Sequence, residues 1–425
     1  MRVLWLTNKL LPAIANAAGI TSDLVNEGWI SGVFSQLINS NNINLIVLCG
    51  YNGCNLCGKN SSFEWVLYEE TSKNEYIYSK NQELFFKKIL AKSQPDIIHI
   101  WGSEYPHSLA MLYAAKALGL GNKIVVWLQG LISACSLPYY YYAGLPDEAV
   151  NIKTLYDRVM RTDVKSQNIR FSIRGKYEIE LLEKTTHCIG RTAWDQCYVY
   201  SVNPRMNYHH CNETLRDCFY SGFWHYESCS KHSIFFSQAS YPLKGFHILL
   251  RALPDILKKY PDTHIYVSGY DIMGFSSLKN FLKLKGYGKY LRRIVLNEKL
   301  GSHITFTGRL SAEQMKEQYL KSNIFVSCSS LENSSNSIGE AMLLGVPTIV
   351  SEVGGTGSII DYLSETHSFS NLDYKQLAKM VIDVFEQEES ISIQARRARE
   401  HALSTHNRDA NISNLISIYE TIKNG

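Results

Sequence analysis

The chain predicts an α/β protein built as two doubly wound parallel-sheet domains, and three observations carry that expectation. Short apolar runs of strand length alternate with stretches of helical periodicity through both halves. A length of 425 residues exceeds one ordinary core and suits two domains of about 200 residues each. The alternation breaks at a polar run around Gly222, between residues 221 and 233, which sets the expected domains at 1–225 and 226–400.

Taken in order, residues 1–6 read as a strand, 32–39 as a helix, 43–49 as a strand and 82–93 as a helix. Residues 97–100 are a strand, 108–118 a helix and 123–128 a further strand, so the first half winds strand after helix after strand. The second half restarts at Ser233, continues through a helix at 246–259 and strands at 264–267 and 304–307, and reaches a helix at 312–320. Ser311 and Gln314 form a capping-box pattern at its start. A strand at 323–327, a helix at 338–344 stopped by Gly345, a strand at 348–350 and a helix at 374–387 complete the pattern. Terminal helices from Ile391 onward, 400–425 in particular, are free to pack back on the first domain. Residues 131–184 fit neither half: four consecutive tyrosines, Tyr139 to Tyr142, precede basic residues interleaved with Asp157, Asp163, Glu178 and Glu180. That segment reads either as a lid or membrane-facing surface for an anionic acceptor or as a solvated helical face.

Composition narrows the function classes. A formal net charge of +4 over this length argues against a nucleic-acid partner and leaves anionic small molecules open. No run approaches the roughly 18 uninterrupted apolar residues of a membrane helix, and the chain opens directly on a strand; the expected location is cytoplasmic, with peripheral contact at the inner face of a membrane allowed. Ten scattered cysteines fit a reducing compartment. Cys54 and Cys57 near Cys49 make an incomplete zinc pattern, and His209-His210-Cys211 alternates across an extended segment, so no metal is expected.

The most informative stretch runs from Ser330 to Gly345. Glu332 stands at a strand end and Glu340 in the first turns of the next helix, with Ser335, Asn336 and Ser337 between them. Small residues leave the helix's unpaired N–H groups open to an anion, and phosphate suits such a helix start. A phosphate flanked by two carboxylates that bind hydroxyls describes a sugar nucleotide; the plainer alternative is a capped helix with two solvated acids. Upstream, Lys244-Gly245 sets an ammonium beside another helix start, where it reaches a diphosphate.

This pattern resembles the paired-glutamate motif of retaining glycosyltransferases of the GT-B fold, family 4 type (glycosyl transferases group 1), with matches at Glu332, Gly339, Glu340, Ala341, Met342, Gly345 and Pro347. The resemblance implies two Rossmann-like domains facing across a cleft. It assigns Glu332 to the transferred sugar and Glu340 to the ribose hydroxyls. Lys244, Ser335, Asn336 and Ser337 go to the diphosphate, Arg309 and Leu310 lie in the loop matched to the nucleotide base, and Ser240 is a further candidate donor contact. The donor would be a UDP- or GDP-sugar, with no other cofactor and no metal.

Two departures from the family matter. The arginine usual five residues before the lysine is here Ala239, so Arg191 or Arg309 is a candidate substitute on the diphosphate. The histidine usual before Gly130 is Gln129, which keeps hydrogen bonding at the catalytic position and loses titration. Acceptor contacts are expected from Gly28, Trp29, His99 and Glu104. Gly28 allows close approach, and Trp29 either faces a sugar ring or fills a turn. His99 either reaches the ligand or packs in its strand, and Glu104 lies beyond a strand end. The reading is a metal-independent transferase moving a sugar to a hydroxyl of a saccharide or lipid-linked acceptor, in cell-surface polysaccharide or glycoconjugate synthesis. A sugar-nucleotide epimerase and a non-catalytic sugar-nucleotide-binding subunit are the alternatives, and oligomeric state is open.

Overall fold

A computed structural model describes residues 1–20, 28–40, 42–70, 75–360, 368–387 and 390–425, with the side chains of residues 28 and 29 also outside the description. Two compact units emerge: Met1–Ala134 with Arg170–Arg216 and Thr405–Gly425, and Cys135–Ile169 with Asp217–Ser404. The division differs from a single boundary near 225, because residues 135–169 join the second unit and the C-terminal helix joins the first. Residues 131–184 form short helices followed by one long helix, Val164–Lys184, which runs through the point of division.

Among the described residues the first unit holds an eight-stranded sheet: β1 (Arg2–Thr7), β2 (Asn44–Tyr51), β3 (Leu56–Lys59), β4 (Phe63–Glu69), β5 (Ile97–Trp101), β6 (Ile124–Trp127), β7 (His187–Gly190) and β8 (Asn207–His210). Their spatial order is β3-β4-β2-β1-β5-β6-β7-β8, parallel except for β3 at the edge. The strand order reverses between β1 and β5, where Thr7 pairs with Trp101. β4 lay outside the expected elements, although Phe63, Trp65 and Leu67 alternate toward the core with the period of a strand. β1, β2 and β5 are buried along nearly their whole length, so they read as continuous apolar runs.

The second unit holds a six-stranded sheet of β9 (Ser230–Phe236), β10 (His264–Val267), β11 (Ile304–Phe306), β12 (Ser322–Ser327), β13 (Thr348–Glu352) and β14 (Ser368–Ser370). The order β11-β10-β9-β12-β13-β14 is the 3-2-1-4-5-6 arrangement of a dinucleotide-binding sheet, reversing between β9 and β12. The helix Phe246–Lys259 buries Phe246, Leu249, Leu250 and Leu253 on one stripe. The Ser311 capping box is present, with Ser311 accepting from the Gln314 N–H and Gln314 reaching back. No helix among the described residues is long and apolar enough to cross a membrane.

Candidate functional site

In open α/β sheets ligands bind beyond the carboxyl ends of the strands where strand order reverses. In the second unit that point lies after β9 and β12, and two of the three charged residues singled out by the motif, Lys244 and Glu332, lie on the loops there. Lys244 ends a single turn, Pro242–Lys244, ahead of the helix Phe246–Lys259. Gly245 follows at φ +70°, and a Cβ there would stand 1.8 Å from the Cys328 carbonyl oxygen, so the turn against β12 admits only glycine. Glu332 follows β12, and its carboxylate forms an ion pair with the Lys244 ammonium. Ser329 Oγ donates to the same carboxylate oxygen at 2.7 Å.

Both partners retain some exposure, so the pair borders solvent. Burial alone would depress the Lys244 ammonium, but the adjacent Glu332 carboxylate more than offsets it and holds the group above the usual lysine range. Lys244 is therefore a fixed cation at neutral pH.

The helix Asn336–Leu343 starts beside this pair in the chain. Its N-cap residue Ser335 makes no side-chain cap bond; its hydroxyl lies 3.1 Å from that of Ser337 instead. Glu340 is buried in the first turns. Gly355, on the loop after β13, donates its N–H to the Glu332 carbonyl at 2.9 Å, and Ser351 Oγ donates to the Ser329 carbonyl at 2.5 Å. These anchors to β13 and the loop after it were not foreseen; Gly354-Gly355-Thr356-Gly357 after an apolar run was the available signal. Ser240 is exposed near the same turn, and Ala239 is 2% exposed, its methyl packed where an arginine would be charged. Arg309 is exposed beyond β11, its guanidinium 5.5 Å from the Tyr270 ring, with Leu310 next to it.

Arg191 requires a correction. It lies in the first unit, 7% exposed, and its guanidinium is ion-paired with the buried Glu213 carboxylate. Its charge is thus balanced locally, which removes the reason to assign it to the donor diphosphate. Its second terminal nitrogen lies 3.4 Å from Gln129 Oε1, which gives Gln129 an orienting partner beyond β6.

His99 requires another correction. It is fully buried in β5, stacked on Trp101 with ring centroids 4.3 Å apart, and its Nδ1 lies 2.5 Å from the Tyr419 hydroxyl oxygen. Desolvation holds the imidazole well below its ordinary pKa, so it is a neutral core residue out of reach of an acceptor. The same Tyr419 oxygen accepts from Trp5 Nε1 at 3.0 Å, which ties the C-terminal helix Arg408–Asn424 to the first sheet.

Glu104 lies where the first sheet reverses. Its carboxylate accepts from the Gly130 N–H at 2.8 Å and lies 3.5 Å from the Asn8 amide, so residues after β1, β5 and β6 meet there. Desolvation raises its pKa against the opposing pull of the Gly130 bond and Arg174. Gly28 and Trp29 open the helix Gly28–Leu37, but their side chains lie outside the described residues, as does Glu27. Among the described residues no group of three or more His, Cys, Asp and Glu side chains is placed to hold a metal.

Residues 229–401 match the family Glycosyl transferases group 1. The matched residues fall within the second unit. Spore coat protein SA of Bacillus subtilis (strain 168) is 30% identical over 184 residues, covering 42% of this chain and 46% of that protein. The chain thus spans about half the length of the curated relatives it matches. Sucrose-phosphate synthase from Thermosynechococcus elongatus superposes with a TM-score of 0.68 at 14% identity, covering 99% of this chain and 98% of that one. HepE of Anabaena, solved with UDP and glucose, gives 0.65 at 13%, covering 98% and 99%. At such identities the likeness establishes the fold, two parallel-sheet α/β domains of the GT-B kind.

Proposed function

We propose that this chain is a retaining glycosyltransferase that moves a sugar from a nucleoside diphosphate sugar to a hydroxyl of a saccharide or lipid-linked acceptor. The observation that carries the reading is the Lys244–Glu332 pair at the reversal of the second sheet, within residues that match the glycosyl transferases group 1 family. Lys244 offsets the charge that develops on the departing diphosphate, a task a divalent ion performs in other enzymes, so transfer is expected without added metal. Ser335, Asn336 and Ser337 at the uncapped helix start hold the diphosphate, Glu340 the ribose, Glu332 the sugar, and Arg309 with Leu310 the base. UDP is the first donor nucleotide to test, because HepE was solved with it.

Retention follows if departure and attack occur on one face, with the leaving phosphate oxygen taking the acceptor proton and Gln129 and Glu104 orienting rather than deprotonating. Incubation of the protein with UDP- and GDP-sugars, with and without a panel of acceptors, decides the class. Acceptor-dependent nucleotide release with retained anomeric configuration supports the proposal. Acceptor-independent isomer formation points to an epimerase, and binding without turnover to a non-catalytic subunit. Chelator sensitivity of the rate would refute metal independence.

A further inference from the structure

Glu178 read in the sequence as one of several acids on a solvated helix, but it is 0% exposed. It lies on the helix Val164–Lys184 at i and i+3, i+4 from the buried Leu181 and Leu182, which places it on the face turned to the core. Ser103 Oγ donates to one of its oxygens at 2.5 Å, and the Ser133 N–H donates to the other at 2.7 Å, joined there by the Ser133 hydroxyl. Tyr198 Oη lies 2.7 Å from the Ser133 hydroxyl. One turn earlier, Arg174 Nε donates to the Glu104 carbonyl at 2.6 Å and its guanidinium lies 4.1 Å from the Tyr105 ring. Between them, a Cβ on Gly175 would stand 2.8 Å from Ser133 Cα, so this helix approaches the loop at a distance only glycine permits.

Tyr198 comes from the helix Ala193–Val202 after β7, whereas Ser103, Glu104, Tyr105 and Ser133 belong to the two strand-end loops after β5 and β6. Those loops carry Glu104, Gln129 and Gly130. We propose that Glu178 is a positioning residue, its buried carboxylate and the neighbouring Arg174 clamping both loops so that the Glu104 carboxylate is presented in one orientation to the acceptor hydroxyl. Its two oxygens receive all three donors at once, Ser103 from one loop and Ser133 from the other. Burying it without those donors would be costly, so the carboxylate and the two loops hold one another in place. The inference rests on the transferase reading for what Glu104 does, but not for the clamp itself.

The test compares E178A and E178Q in the full chain. Glutamine keeps the volume, can turn its carbonyl to Ser133 and can donate to the Ser103 hydroxyl. In E178A, backbone hydrogen exchange at residues 102–105 and 130–134 is expected to rise about tenfold or more, with little change elsewhere. The acceptor KM, measured with UDP-glucose against glucose, glucose 6-phosphate and N-acetylglucosaminyl-diphospho-undecaprenol, is expected to rise about tenfold. Nucleotide release without acceptor stays within about twofold, and E178Q restores both readouts to near wild type. If E178A does not fold, S103A removes one bond and is expected to shift the same readouts less. Unchanged exchange in the two loops in the folded variant overturns the clamp, as does an equal fall in acceptor-free and acceptor-dependent rates. If the wild type transfers to none of the acceptors, the exchange measurement still decides the clamp while the transferase reading falls.

Discussion

Lys244 and Glu332 lie on loops that follow neighbouring strands of the second sheet, and each loop leads into the helix start that completes its half of the site. The corresponding place in the first unit is assembled differently. Asn8, Glu104 and Gly130 come from three strand ends, while Arg174 bonds the Glu104 carbonyl and Glu178 bonds Ser103 and Ser133 from a helix more than 40 residues further along the chain. A phosphate-binding helix start is a local device, made by a strand, a turn and free N–H groups within about 15 residues, and it leaves a contiguous signature. A hydroxyl-orienting carboxylate held by buried hydrogen bonds needs partners from separate elements and leaves none.

The largest expected effect tests the correction at Arg191. R191A leaves the Glu213 carboxylate buried without its ion-pair partner, which is expected to cost about 3–5 kcal/mol of stability while the affinity of the folded protein for UDP stays unchanged. Denaturant unfolding and calorimetric titration check the two halves; a stable variant that loses UDP affinity would return Arg191 to the donor site. K244A is expected to lower the transfer rate by about 10²–10³-fold with the protein still folded, since a fixed cation at the leaving group is removed. Comparable rates for K244A and wild type would transfer the diphosphate role elsewhere, with R309A the next variant to measure.

E340A is expected to raise the donor KM by about tenfold to a hundredfold with a smaller change in kcat, as a charged hydrogen bond to a bound hydroxyl is worth about 1.5–3 kcal/mol. An effect confined to kcat would contradict a ribose role. The smallest effect separates the units by their titration. Desolvation raises Glu178 to about 7, with Glu104 adding and the serine bonds opposing, so the folded first unit binds the extra proton. That contribution to stability is full below the unfolded carboxylate value and fades as pH rises through about 7.

His247 in the second unit behaves in the opposite sense. It is buried between Tyr287 and the Ala143 carbonyl, and desolvation lowers it to about 4, so its contribution fades as pH falls from the ordinary imidazole range toward about 4. Melting temperatures of E178Q relative to wild type should therefore climb by a few degrees as pH rises, and those of H247N relative to wild type as pH falls. Parallel slopes for the two variants would show that one of these groups titrates in the other sense.

Much of the fold was legible because buried parallel strands must be continuous apolar runs and their connecting helices must repeat every three to four residues. The helix Phe246–Lys259 was placed to the residue, and the Ser311–Gln314 capping box was recognisable from two side chains three apart. β3 and β14 were missed because short edge strands bury too little to leave a pattern. His99 and Arg191 show the complementary failure: residue type suggested chemistry, and only the surrounding indoles, Tyr419 and Glu213 reveal that one is desolvated and neutral and the other already paired.

The linear order of residues by itself determined two wound sheets and the Lys244, Glu332 and Glu340 motif, because these depend on hydrophobic period and on groups joined by a few peptide units. Tertiary structure alone decided which carboxylates are buried, which cations are spent on partners, and that residues 135–169 join the second unit. The physical reason is range. Backbone preference acts over a turn or two, whereas desolvation and ion pairing act on whatever the folded chain brings within a few ångströms.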